Sequence, residues 1–347
     1  MAHLIDQVFI VDRNEAITNA RKAAGSTTTD SWHTLGKAID WDATISADMI
    51  PALAGWNFEY DLIDGKYQDH AGQWQTMGRK AVVRRDNHVC LGSVGEKWTQ
   101  FPFDKAVDAV RPWIESGMAT PHTGGLLDEG RVSFLTLKPM VDPIEPVKGD
   151  PTELFLCFVQ GHVGNLAVTL GMTATRMVCW NTVSAGLNDG KAKVRIPHKK
   201  GIQQGVIAAA KSLDIARREF TATGEQMAEM ARFGVNRADL EKYFRIVAGV
   251  KDLTAKRADL HGNSRNLLAA LDEALESAPG ATVASGTLYA AYQAATFYNT
   301  HVRGRSSADK RTQSLWTGEL GRQNGIAWDA ATGWLASGSL LVPATAA

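Results

Sequence analysis

The sequence has few cysteines, no long apolar run and no membrane-spanning segment. It contains three widely spaced cysteines, Cys90, Cys157 and Cys179. An odd number without a CxxC pair indicates a reducing compartment and excludes a disulfide framework or a zinc knuckle. No stretch approaches the roughly 20 apolar residues that cross a bilayer. Asp6 interrupts the segment where a signal peptide would be apolar, so we expect a cytoplasmic protein with no membrane partner.

Common catalytic and metal-binding motifs are also absent. The chain has no GxxxxGK[ST] loop for phosphate, no GxSxG elbow, no HExxH pair and no EF-hand spacing. We therefore predict no metal site and no cofactor, and we assign no catalytic residue. His162 lies between glycines at a predicted hairpin tip, where a turn residue is a better interpretation than a general base.

The balance of charge hides a strong asymmetry. The 347 residues carry 37 basic and 37 acidic side chains. Residues 1–189 hold 16 Lys and Arg against 23 Asp and Glu, a net charge of −7, whereas residues 190–347 hold 21 against 14, a net charge of +7. Such asymmetry favours a polyanionic partner, although a basic run is often only a solvated surface.

Local patterns predict three hairpins followed by helices. The hairpins join residues 80–85 to 88–94, 122–127 to 131–138, and 153–159 to 165–170, each across a turn rich in Gly, Asp or Asn. Apolar residues at helical spacing predict a helix from Phe103 to Ser116, with Gly117 as its stop. Helices are predicted over 202–233, 238–250, 256–275 and 285–299, and in pieces over 314–335.

These elements predict an α+β fold: an antiparallel, hairpin-rich sheet with a crossing helix, followed by an all-helical C-terminal region. The corresponding division is an N-terminal extension (1–55), an antiparallel sheet core domain (56–200) and a helical region (201–347).

One constellation carries the functional hypothesis. Asn181 or Thr182 is a suitable helix N-cap, and a helix N-terminus offers free amides to an anion. Arg176 could hold a phosphate and Trp180 could stack on a base, or they could form an internal ion pair and part of the core. A basic loop follows within twenty residues. The predicted nucleic-acid-binding residues are Arg176, Trp180, Asn181, Lys191, Lys193, Arg195, His198, Lys199 and Lys200.

Several motifs resemble one family along nearly the whole chain. They are Trp32-His33-x-Leu35-Gly36, Val94-Gly95-x-Lys97-Trp98, Gly130-Arg131-Val132, Arg176-x-Val178-Cys179-x-Asn181-Thr182, Arg195-x-x-His198, Gly286-Thr287-Leu288-Tyr289 and Thr296-x-Tyr298 with His301. In this order they resemble the phage/plasmid-like proteins classed as domain of unknown function nine hundred and thirty-two. The chain departs from that pattern at Lys97-Trp98, at Trp180 and at Gly161-His162-Val163. The resemblance implies mobile DNA in a bacterial host cytoplasm and names no reaction.

The sequence is compatible with two functions. The first is a single-stranded-DNA-binding protein of recombination or replication, with possible strand annealing and a ring or filament of identical subunits; its outline is similar to phage single-strand annealing proteins. The alternative is an enzyme of nucleic-acid or nucleotide metabolism, with a polar site around Arg176, Asn181 and His198, joined by His162. That alternative requires these side chains to converge.

Overall fold

The computed structural model describes residues 5–10, 37–38, 45–164, 166–176, 181–183, 193–210, 213–303, 310–311, 314–315 and 318–338. It confirms the α+β class, with antiparallel sheets followed by helices. The described strands are β1 (Ile5–Ile10), β2 (Lys37–Ala38), β3 (Tyr60–Gln68), β4 (Trp74–Arg84), β5 (Cys90–Gly95), β6 (Ala119–Leu127), β7 (Val132–Pro139), β8 (Thr152–Gly161), β9 (Val168–Arg176), β10 (Asn181–Val183) and β11 (Lys193–Ile196).

The large sheet is built from the two later predicted hairpins. Its strand order is β10-β9-β8-β7-β6-β1-β2, and β11 also pairs with β9. All of these pairings are antiparallel except that of β1 with β2. Since β1 pairs with β6, part of the predicted N-terminal extension belongs to this sheet.

The small sheet has the order β3-β4-β5, and it contains the first predicted hairpin, β4–β5. Because β5 pairs only with Arg79–Val83 of β4, the distal ends of β3 and β4 form a two-stranded ribbon. Tyr67, Trp74 and Met77 on this ribbon are all exposed.

The crossing helix α2 (Phe103–Glu115) follows a short helix, α1 (Ile50–Leu53), in the chain. Its apolar residues bury one face, which includes Val107, Val110 and Trp113. The helix lies against β6 of the large sheet. It ends at the predicted glycine: Gly117 has a φ of 72°, a left-handed conformation that glycine adopts without a Cβ clash.

The helical region contains α3 (Ile202–Ala210), α4 (Leu213–Arg232), α5 (Arg237–Val247), α6 (Gly262–Ser277), α7 (Pro279–Thr282), α8 (Leu288–Phe297) and α9 (Glu319–Ser337). A π-helical turn, Tyr298–Val302, extends α8. The helix predicted over 202–233 is described in two pieces, α3 and α4. The helix predicted from Lys256 begins six residues later, because residues 257–259 form a 3-10 turn and the His261 side chain caps α6.

Sheet and helices share one hydrophobic cluster. It runs from Ile50 and Phe103 through Phe158 of β8 to Tyr243 and Tyr292 of the helical region. A buried hydrogen bond also joins the two parts, since the Tyr289 hydroxyl donates to Asp150 Oδ2 at 2.8 Å. The packing therefore continues across residue 200, and the division into two domains at this residue stays a prediction.

No helix among the described residues is both long enough and apolar enough to span a membrane.

Candidate nucleic-acid interface

Four of the predicted site residues, Arg176, Asn181, Lys193 and Arg195, lie at the outer edge of β9. One edge of β9 pairs with β8 over almost its whole length, from Thr169 to Arg176. The two short strands must therefore share the other edge. There β10 pairs with residues 174–176 and β11 with residues 168–171. This arrangement places Arg176, Asn181, Lys193 and Arg195 in a line along β9, which is about 26 Å long at about 3.3 Å per residue.

Basic residues occupy the β11 end of this line. Lys193 lies opposite Gly171 and Arg195 opposite Thr169. Lys199 and Lys200 follow in the connection to α3. We call Lys193, Arg195, Lys199 and Lys200 the basic edge.

The described side chains of the basic edge are available to a ligand. Arg195, Lys199 and Lys200 are exposed, and none of them forms an ion pair with an acidic side chain in the described part of the chain. The Lys193 side chain, Lys191 and Trp180 lie outside the described residues.

Arg176 and Asn181 occupy the other end of the same edge. They are direct partners in the pairing of β9 with β10, and Thr182 lies opposite Thr175. The prediction that Asn181 or Thr182 caps a helix is therefore wrong. Thr182 and Val183 are β-branched, which suits a strand, and here tertiary pairing prevails over capping preference. The proposed cradle of helix amides is not formed at these residues.

The strand β10 also packs against α8 and its π-helical turn. The motif at Asn181-Thr182 and the motif that ends at His301 are therefore neighbours in space. Asn299 and Thr300 of this turn are buried, and Asn299 donates through Nδ2 to Asn324 Oδ1 at 2.9 Å. Sequence reasoning missed this polar cluster, because nothing local joins segments more than a hundred residues apart.

Distance separates the members of the alternative enzyme site. His198 lies two residues beyond Ile196, which is opposite Val168, whereas Arg176 ends the same strand. The two are thus about 25 Å or more apart along β9. The prediction of a pocket that combines Arg176, Asn181 and His198 is wrong, because β9 is extended between them.

The His198 side chain is buried and does not form part of the exposed basic edge. It is 6% exposed, and its ring stacks on Trp98 with centroids 4.8 Å apart. Its Nδ1 lies 3.0 Å from the Thr99 carbonyl oxygen. Since a carbonyl can only accept, Nδ1 carries the proton, which leaves Nε2 without a partner among the described residues. Burial lowers the pKa of His198, and the hydrogen bond to Thr99 opposes that shift. The neutral ring is therefore favoured.

Beside His198 the basic edge opens onto a cleft of about 400 Å³. Three segments meet there: the end of β5, the β8–β9 connection and the β11–α3 connection. The lining residues are Gly95, Lys97, Trp98, Gly164, Leu166, Ala167, Pro197, His198 and Lys199. Lys97 and Lys199 are exposed, and none of the described lining residues is acidic. Sequence reasoning noted Lys97-Trp98 only as a departure from the family pattern, because β5 belongs to the other sheet.

His162 belongs to a buried polar network and does not line this cleft. Its ring is buried, with Nε2 3.1 Å from Ser133 Oγ and Nδ1 3.2 Å from the Tyr60 hydroxyl. Burial is the main cause that lowers the pKa of His162 to about 3, with smaller electrostatic contributions from His198 and Arg84. A ring without solvent access and with both nitrogens paired positions neighbouring groups and is not placed to exchange protons with a substrate.

Among the described residues, no three His, Cys, Asp or Glu side chains converge as a metal site would require. Fold and site together define an α+β protein with a linear basic edge that leads into a cleft. The family described as Domain of unknown function (DUF932) matches residues 90–316, which is 227 of the 347 residues, and the chain belongs to that family. No curated protein and no solved structure matches the chain.

Proposed function

We propose that this protein binds single-stranded DNA, with the sugar–phosphate chain lying along the basic edge. The observation that carries the proposal is the state of Arg195, Lys199 and Lys200, which are exposed, close in sequence and unpaired with any described carboxylate. Like charges held together in this way favour a polyanion, because its phosphates relieve their mutual repulsion.

The linear arrangement favours a polymer over a small substrate. The line of predicted residues along β9 extends for about 26 Å, whereas a small-molecule pocket gathers its polar groups around one centre. An extended single strand of DNA can contact successive positions along such an edge. The neutral total charge of the chain implies that affinity comes from this local concentration of charge and depends on salt.

The experiment is fluorescence anisotropy with a labelled single-stranded oligonucleotide at several salt concentrations. The test variant is Arg195→Glu/Lys199→Glu/Lys200→Glu. Loss of about three phosphate contacts should weaken binding and make the log–log salt slope less steep by about 2, at about 0.7 per contact on a single strand.

A matched control has the same change of charge elsewhere. Arg232, Lys251 and Lys256 are exposed and form no ion pair with a described residue, and their triple change to Glu also alters one Arg and two Lys. If both triple variants lose affinity equally, only total charge matters and the basic edge is not the site. If the wild-type protein does not bind at micromolar concentration, the proposal fails.

We also propose that the protein acts in phage- or plasmid-type DNA recombination or replication in a bacterial cytoplasm, as a ring or filament. The net charges of −7 and +7 on the two parts of the chain support head-to-tail contact between copies. Light scattering at rising ionic strength tests this. Oligomers that dissociate with salt support charge-driven assembly, and a monomer at every salt concentration, with or without DNA, contradicts it.

A further inference from the structure

The cleft beside the basic edge combines features that the edge itself lacks. Its walls include the apolar side chains Trp98, Leu166 and Pro197, and Lys97 and Lys199 lie in its lining. A volume of about 400 Å³ falls within the usual range for small-ligand sites, about 300 to 1,000 Å³. Apolar walls, two cations and no acidic side chain among the described lining residues suit a ligand that has a flat face at one end and an anionic group at the other.

The walls are fixed in place by hydrogen bonds and close packing. Thr99 and His198 exchange two hydrogen bonds, from Thr99 N to the His198 carbonyl and from His198 Nδ1 to the Thr99 carbonyl, both 3.0 Å long. In the β8–β9 connection, a Cβ on Gly164 would lie 3.2 Å from the Ser93 carbonyl oxygen. Glycine at this position therefore allows the connection to approach β5 closely. A site held in this way does not have to order its walls when a ligand binds.

The cleft is continuous with the basic edge. Pro197, His198 and Lys199 line it and directly follow β11, which carries Lys193 and Arg195. Lys199 belongs to both features. A DNA strand that lies along the basic edge therefore also reaches the cleft, because the same protein segment forms both.

We propose that the cleft receives one unstacked nucleotide of the bound strand. Its base packs against the wall formed by Trp98, Leu166 and Pro197, and its phosphate lies near Lys97 and Lys199. This inference rests on the proposed function and adds to it a contact with a base, which the basic edge alone does not provide. Apolar contact without base-specific hydrogen bonds accepts any of the four bases.

The test compares an oligothymidylate with an abasic strand of equal length, which keeps the phosphates and lacks the bases. Gly95→Leu is the test variant, because Gly95 lines the cleft, a Cβ there meets no atom within 4 Å, and the backbone is not left-handed. Trp98 is a poorer choice, because its ring packs against Tyr60 and His198 and its loss could unfold the protein. Gly234→Leu is the control, since Gly234 is also exposed, in open space and not left-handed.

We expect the wild-type protein and Gly234→Leu to bind oligothymidylate about tenfold more tightly than the abasic strand, as the loss of one base contact implies. Gly95→Leu should bind both strands with the affinity of the wild-type protein for the abasic strand. Equal wild-type affinity for the two strands, or no difference between the two glycine variants, overturns the cleft proposal and leaves the basic edge standing. Failure of the wild-type protein to bind either strand overturns the proposed function itself.

Discussion

Changing His162 to Gln should alter how the stability of the protein depends on pH. In the native state the imidazole is buried between Ser133 and Tyr60, and its pKa is lowered to about 3. In the unfolded chain the same group has a pKa of about 6.5. Between these two values the unfolded state binds more protons than the native state, so stability falls as the pH falls.

The magnitude follows from the two pKa values. A difference of one pKa unit corresponds to about 1.4 kcal/mol. From about pH 7 to about pH 4.5, His162 alone should remove about 2.5 kcal/mol from the free energy of unfolding. The buried Gln in the variant does not titrate. The variant should therefore be less stable than the wild-type protein near neutral pH, where it lacks the fit of the imidazole, and the difference should shrink by about 2.5 kcal/mol at about pH 4.5.

Urea unfolding followed by circular dichroism at a series of pH values measures this difference. Carboxylates that titrate in both proteins cancel, which isolates the contribution of His162. The control is His70→Gln at the exposed tip of the ribbon, which makes the same chemical change without removing a buried imidazole. A stability difference between His162→Gln and wild type that stays constant across the range would refute the argument that His162 is neutral because it is buried.

Two further changes test the packing of the large sheet. Gly161→Ala places a Cβ 2.5 Å from Leu166 Cβ, so we expect the free energy of unfolding, measured in urea, to fall by about 1–3 kcal/mol. Gly234→Ala is the control and should be nearly neutral, because its Cβ has open space around it. Equal effects of the two changes would contradict the packing argument. The carboxylate of Glu153 is 3% exposed and lies 2.5 Å from the Lys138 ammonium group. Lys138→Met should therefore lower the free energy of unfolding by about 3–5 kcal/mol, and Lys138→Met/Glu153→Leu should largely restore it. A single variant as stable as the wild-type protein would show that the carboxylate is compensated in another way.

Turns and helix stops were predictable because their signals are local. Asp128, Glu129 and Gly130 were predicted to turn the second hairpin, and all three have positive φ values. Asp and Gly tolerate that conformation better than most residues, so Asp128 and Gly130 mark the turn, whereas Glu129 carries no such signal. Gly117 ends the crossing helix for the same reason.

The candidate site was less predictable because its parts come from distant segments. The basic run was recognised from composition, and Arg195, Lys199 and Lys200 of this run are exposed. Its place on the edge of β9 depends on a register that no local pattern specifies. Lys97 joins the cleft only because the small sheet meets the large one there. Asn181 was misassigned, since a good capping residue is also acceptable in a short paired strand.

The buried hydrogen bond between Tyr289 and Asp150 has a consequence for how this protein can be divided. A fragment that stops near residue 200 would keep the aspartate and lose the tyrosine together with all of α8, leaving an acidic group in a vacated interior. The complementary fragment would expose to water the apolar helix faces that pack against the sheet in the whole protein. Truncating the gene near residue 200 should therefore yield two insoluble fragments, neither of which folds as an independent domain.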